Sequence, residues 1–444
     1  MRVPTTTSRL FSIFALTFVL VGGCGASEEP VRSLTILHTN DLHARFLPDD
    51  ADRGGFAHLA AVIRSECDRA EACLVLDAGD LVQGSPVSSI HKGVPVFEVA
   101  NLIGFDASTL GNHEFDYGWR MIPRFLETAE FPIVAANVVD SEGKSLADGP
   151  YVVLEAGGIR VGVIGVLTAD LPYLTTSDRY GPWTPLPVVD TVRRYASELS
   201  AEADLVVVLG HLVAKEEEAI LTEAPEVPVV VSGHGHEGLD SPIVVDERIG
   251  VRVEGYGREL GRLDLRIDTR TDTVVDWSWK AIPIDADRIA PDPRVAERIA
   301  AWESEVAEHA AVTIGESKRY FQRDEVRALV ERALRETMRA DLAYVNPGGI
   351  RDSLPRGPIR VRHVWNVMPF DNHVVVSEVA GRDLPRSLIE ERRLDPERIY
   401  RLATMDFCVA TWKDRGTADL RVTKTGRLVR DVIIDWIRKQ GVLE

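Results

Sequence analysis

The chain has 444 residues, a formal net charge of −18 and 45% hydrophobic residues. That length allows about two or three domains with cores of ordinary size. The acidic balance counts against a general nucleic-acid binder, though not against an anionic substrate met by bound cations.

Residues 1–23 read as a processing segment. Arg2 and Arg9 make a basic n-region, and Leu10 to Val21 is an apolar run too short for a comfortable membrane span. The run ends in VGGC, and small residues before a Cys resemble a bacterial lipoprotein signal, with cleavage before Cys24 and lipidation of its sulfur. An ordinary secretory signal is the alternative. Residues 24–31 would then be a tether. No later run approaches ~20 apolar residues, so the N-terminal lipid is the one expected membrane contact.

From residue 32 to about 290, strand-like runs alternate with helical patterns. LTILHTNDLHA delivers Asp41 and His43 just past its apolar run, and CLVLDAGDLVQG delivers Asp80. Between them CDRAEAC places Cys67 and Cys73 on either side of a short turn, a candidate disulfide in an oxidising compartment. DASTLGNHEFDYG, Asp106 to Gly118, turns at Gly111 into Asn112, His113, Glu114 and Asp116. YVVLEAGGIRVGVIGVLT reads as strand, Gly-Gly turn, strand. DLVVVLGHL ends at His211, and VPVVVSGHGHE at His234 and His236.

Five β-branched, apolar runs thus release Asp, Asn or His at their carboxyl ends, the rim where open α/β sheets bind ligands. One metal takes about four to six ligands. Seven donors therefore suit two ions sharing a bridging carboxylate. None is a cysteine, which disfavours a structural thiolate zinc site.

RLDLRIDTRTDTVVDWSWKAIPI reads as a closing hairpin turning at Asp268 to Asp272, with Trp277 and Trp279 as packing residues. A break rich in Asp and Pro follows. Residues 291–311 read as a linker helix, with Val295, Ile299, Trp302 and Val306 at helical spacing. Residues 312–444 form the second domain, with helices expected from Asp324 to Arg339 and from about Leu428 to Lys439. NPGGIRDSL lies between an apolar run and a turn, and VWNVMPFDNHVVVSEVAG reads as a loop entering a strand. Cys408 falls in an apolar stretch and is expected to be buried.

In order, D-x-H, G-D, GNHEFDYG, G-H and G-H-x-H resemble the calcineurin-like metallophosphatase superfamily. HTNDLHARF, LDAGDLVQGSPVS, STLGNHEFDYG, AANV and SGHGHE, with NPGGIRDSL and VMPFDN further on, resemble its bacterial 5′-nucleotidase/UDP-sugar hydrolase family. The resemblance implies an α/β protein: a four-layer α-β-β-α metallophosphatase sandwich over residues 32–290, then a smaller α/β substrate domain. It implies that Asp41, His43 and His236 hold one divalent ion, Asn112, His211 and His234 a second, and that Asp80 bridges them. Zinc, manganese, iron or cobalt would suit these ligands. His113 would stabilise the transition state or protonate the leaving oxygen, with Asp116 orienting it. Glu114 is left open between a structural bond and catalysis. Asn346 and Arg351 would contact the substrate anion, and Phe370 and Asn372 the base.

The chain departs from that family where ATMDFCVATWKDRG replaces a GGDG-aromatic loop; Trp412 is the residue available to replace the aromatic. The expected function is a lipid-anchored phosphohydrolase of the bacterial cell envelope, periplasmic or at the surface, acting on 5′-nucleotides or nucleotide-sugar diphosphates. The alternatives are a related hydrolase for another phosphate, a phosphodiester or a sulfur-oxyanion, and a metal-retaining binding lipoprotein without turnover.

Overall fold

The structure, a computed structural model, describes residues 31–414 and 419–444. The expected signal segment, nearly all of the tether and Cys24 lie outside the described residues. Two six-stranded sheets are stacked face to face. In the first, Val31–Thr39, Cys73–Asp77, Ala107–Thr109 and Ile133–Val134 run parallel. The hairpin Glu259–Asp268 and Thr273–Pro283 closes its edge antiparallel. In the second, Ile159–Leu167, Leu205–His211, Val229–Gly233 and Arg248–Val251 run parallel, with Tyr151–Ala156 and Ile243–Val245 as antiparallel edges.

Strands covered on both faces should be near-continuous apolar runs, and Leu205–His211 and Val229–Gly233 are buried along their whole length. Between the sheets, Ile36, Leu74 and Leu76 meet Val163, Val207 and Val231. Phe56–Cys67 and Val94–Ile103 cover the first sheet, and Val188–Leu199 and Ala214–Glu223 the second. This is the four-layer α-β-β-α order expected. Because the central strands are parallel, their carboxyl ends share one rim. A disulfide joins Cys67, at the end of a covering helix, to Cys73, at the start of the next strand and so away from that rim.

Pro293–Ala310 is helical. Asp292 caps it by accepting from the backbone N–H groups of Arg294 and Val295. Its Val295, Ile299 and Val306 are buried in the first domain's core, so the expected linker helix packs as part of the outer helical layer. Glu303 on it accepts from Arg362 of the second domain at 2.8 Å.

The second domain has a four-stranded sheet, ordered Leu342–Ala343, Ile399–Met405, His373–Ala380, Thr423–Leu428, and a three-stranded one. Arg323–Met338 and Val429–Gln440 contribute Val326, Val330, Leu334, Ile433 and Ile437 to its core. One reading is corrected. Val364–Val367, expected as the start of a loop, belongs to the helix Val361–Val367. Val361, Val364 and Val367 recur every three residues and are all buried, so core packing settles a run whose β-branched residues read as non-helical. Asp406–Asp414, where the GGDG-aromatic loop was missed, is also helical. Among the described residues no helix is long and apolar enough to cross a membrane.

Candidate metal centre and substrate cavity

All seven donor residues converge on the shared rim. Asp41, His43, Asp80 and His236 place one ligand atom each within 4.8 Å of one another, and so do Asp80, His211 and His234. Asp80 belongs to both groups. Asn112 joins the second through its Oδ1, 2.9 Å from His234 Nδ1. Asp41, His43, Asp80, His234 and His236 all have positive φ. Such backbone costs of order ~1–3 kcal/mol per non-glycine residue and collects at functional sites. Gly111 is needed for a different reason: a Cβ there would collide with Asp80 Oδ1.

Outer contacts fix which ring nitrogen faces inward. His211 Nδ1–H donates to the Ala78 carbonyl at 2.9 Å, and His43 Nδ1–H points to the Val82 carbonyl at 3.4 Å. His236 Nδ1 is 2.9 Å from the Tyr256 hydroxyl. Each therefore turns Nε2 inward, as metal-bound histidines do. His43 Nε2 and His236 Nε2 stand 3.1 Å apart, and His211 Nε2 and His234 Nδ1 3.3 Å.

These residues fit metal ions. Asp41 Oδ1 and Asp80 Oδ2 are buried without any hydrogen-bond partner, and both face the ring nitrogens. An unpaired buried carboxylate oxygen is costly. Burial, then the charge of Arg351, holds His43 well below the usual imidazole range and His236 down to about 2. Burial, then the charge on His211, lowers His234 to about 4. Their lone pairs are thus free, the state a ligand needs. Burial opposes a proton on His211, but the charge of the Asp80 carboxylate, 3.1 Å from its Nε2, overcomes it and pushes the ring up to about 10. The carboxylates are short of cations.

His113 lies beside the second group without joining it. Its backbone N–H donates to Asp80 Oδ1 at 2.8 Å, and its Nδ1–H to Asp116 Oδ2 at 2.7 Å. Burial opposes charge on this ring, and the Asp116 and Asp80 carboxylates outweigh it, so its pKa is raised. Glu114, left open by sequence, is structural. Its Oε1 accepts from the backbone N–H groups of Leu81 and Val82, at 2.9 and 3.3 Å, and its Oε2 from those of Asp80 and Gly111, at 3.1 and 2.6 Å. It staples the two ligand-bearing loops together. Burial and Asp80's charge push it up to about 7 against those bonds.

The second domain supplies the opposite wall of a cavity of about 450 Å³. Arg351 Nη2 reaches His43 Nε2 at 3.0 Å and His236 Nε2 at 3.2 Å. Phe370 lies over His113, with ring centroids 5.8 Å apart and planes at 27°. Asn346 and Asn372 line the same space. Asn346 Oδ1 accepts from the Cys408 thiol at 3.5 Å, and Cys408 is buried as expected. Trp412 also reaches the cavity wall, but it is only 7% exposed and packs on Tyr344 at 5.2 Å. It belongs mainly to the second core.

Sequence reading missed three contributors. Asn40 donates to Asp41 Oδ2 at 2.8 Å and holds Val253 on both backbone groups. Tyr256 orients His236. Arg179 donates to Asp116 Oδ1 at 3.4 Å and lines the cavity. Asn40 had a signal in its place beside Asp41; Tyr256 sits in a turn and Arg179 in the single helical turn Ser177–Tyr180, both too short for periodicity to mark them.

Two family models match: calcineurin-like phosphoesterase over residues 34–238, and the 5′-nucleotidase C-terminal domain over residues 304–393. The endonuclease YhcR of Bacillus subtilis is 28% identical over 81% of this chain, which spans only 33% of that protein. Protein UshA of Yersinia enterocolitica is 24% identical over all of this chain and 98% of its own length. The crystal structure of the 5′-nucleotidase precursor from Thermus thermophilus superposes with a TM-score of 0.86 at 26% identity, covering 93% of this chain and 97% of that one. Shared domain order, fold and rim chemistry thus lead to one assignment: the chain belongs to the calcineurin-like metallophosphatases that carry a 5′-nucleotidase C-terminal domain, and it is a hydrolase of that type.

Proposed function

We propose that this chain hydrolyses phosphate esters of small molecules, 5′-nucleotides or nucleotide-sugar diphosphates, at a centre for two divalent ions. The observation that carries this reading is Asp80, shared by two convergent ligand groups with the His113–Asp116 pair beside them. Asp41, His43 and His236 would hold one ion, Asn112, His211 and His234 the other, and Asp80 both. Ions so held supply Lewis acidity: they activate water and neutralise phosphoryl oxygens.

The chain's own groups do the rest. Arg351 presents a guanidinium where a phosphoryl oxygen would sit, in the planar fork that suits phosphate. His113 keeps Nε2 free toward the cavity while Nδ1 is tied to Asp116. It can therefore deliver a proton to the leaving oxygen without losing its orientation. Arg179 holds the second oxygen of Asp116 and keeps that carboxylate turned to the ring. Phe370, Asn346 and Asn372 bind the leaving group. Trp412 is drawn mainly into the core, and Tyr173, Tyr344 and Phe407 line the cavity beside Phe370; stacking on aromatic rings accepts any base, so discrimination between bases should be poor. Zinc, manganese, iron and cobalt all suit this donor set. We place the enzyme in a bacterial cell envelope, periplasmic or at the surface, anchored through lipid on Cys24, and without a nucleic-acid partner; the VGGC ending of the apolar N-terminal run and the charge of −18 support this.

The test is a substrate panel on metal-reconstituted protein: nucleoside monophosphates, UDP-sugars, a cyclic nucleotide and an aryl phosphate. The reading expects the first two groups to lead in kcat/KM. Equal or better turnover of the aryl phosphate or the cyclic nucleotide would reject the substrate assignment.

A further inference from the structure

A second cavity, of about 690 Å³, opens between the two domains and shares no lining residue with the substrate cavity. Six arginines line it against four carboxylates, a positive excess in a chain of net charge −18. Most of the inner arginines are matched. Arg45 bonds Asp352 at 2.7 Å, Arg258 lies 2.9 Å from Asp49, and Arg362 bonds Glu303 at 2.8 Å. Even so, Nε of Arg45 is buried with no acceptor. Arg356 and Arg360, from the second domain, are exposed at the cavity, and neither has an acidic partner among the described residues. Tyr256 and Tyr320 add aromatic surface.

A guanidinium left without a carboxylate matches phosphate in geometry as well as charge. Two of them at one opening, with the buried Nε–H of Arg45 unanswered inside, ask for more than one anionic group. The volume falls in the range of sites for nucleotide-sized ligands. We propose that this inter-domain cavity is a second binding site, for a small molecule carrying at least two phosphate groups. Tyr256 is a wall of this cavity, and its hydroxyl also holds His236, so the site borders the metal centre without being part of it.

The probe is methylenediphosphonate, a diphosphate analogue that resists hydrolysis, measured by equilibrium dialysis against the metal-loaded full chain. Arg356→Glu/Arg360→Glu should weaken one class of site by about tenfold or more for each reversed charge, the scale of a lost charge-assisted bond. Turnover of an aryl phosphate should stay at wild type, because neither residue touches the substrate cavity. Arg356→Gln/Arg360→Gln serves if charge reversal impairs folding, and should weaken the same site. In Asp80→Asn the cavity site should persist. Identical binding isotherms for wild type and for both arginine variants would overturn the proposal, as would loss of all binding in Asp80→Asn. Either result leaves the reading of the metal centre standing, since that reading is tested by turnover.

Discussion

Replacing Glu114 with Gln should destabilise the first domain by about 2–6 kcal/mol. The carboxylate receives four backbone N–H groups, two on each oxygen. A glutamine keeps one oxygen and so satisfies two. Its amide nitrogen, itself a donor, then faces the other two N–H groups, which have no other acceptor in this buried place. A buried donor left without a partner costs about 1–3 kcal/mol, and two give the range stated. The measurement is urea unfolding at pH 8, above the value of about 7 to which burial and Asp80 raise this group, so that the wild-type carboxylate is ionised. The midpoint should fall with the slope unchanged. Turnover should fall as well, because Asp80 and Gly111 hang from the same bonds. A loss under about 0.5 kcal/mol, within the range of an ordinary surface substitution, together with a large fall in kcat would refute the reasoning. Glu114 would then be acting on the reaction and not as a staple.

Other consequences follow from the same geometry. His113→Ala should lower kcat by about 10²–10⁴, the range for a positioned acid or base, with metal content at wild type; metal lost along with it would make His113 a ligand. Phe370→Ala should raise KM for a nucleotide by about tenfold, on the scale of one base–aromatic stack, with little change for an aryl phosphate. Trp412→Ala should instead lower stability by about 3–5 kcal/mol, as removal of a core aromatic does, and a selective KM effect without that loss would return Trp412 to the base site. Cys24→Ser should abolish lipid attachment and shift the protein from the membrane to the soluble fraction; unchanged processing and fractionation would leave a plain secretory signal.

What could be read from sequence was whatever local pattern controls. Apolar β-branched runs ending in Asp, His or Asn marked both the strands and the rim, because parallel strands in one sheet place their carboxyl ends together. That logic reached all seven donors; the four layers came from the family resemblance. It stopped where tertiary contact decides. The stretch from Val364 reads as a loop, and only the buried valine face of Val361–Val367 makes its first residues helical. Glu114 sits in the same motif as Asn112 and His113, and nothing local says that its partners are backbone amides of a loop more than thirty residues earlier. Arg179 lies in the four-residue helix Ser177–Tyr180, too short for its spacing to carry a signal, and its role appears only when it meets Asp116. Trp412 looked like a spare aromatic for a missing loop. The helix Asp406–Asp414 turns it toward Tyr344 instead.

The central claim is that one carboxylate serves two ions, and metal analysis of Asp80→Asn alongside turnover tests it most directly. Wild type should carry two divalent ions per chain and hydrolyse its substrate. The variant should lose turnover and bind fewer ions, since removing one charge weakens both ligand groups at once. An Asp80→Asn protein that keeps two ions and a near-normal rate would contradict the account.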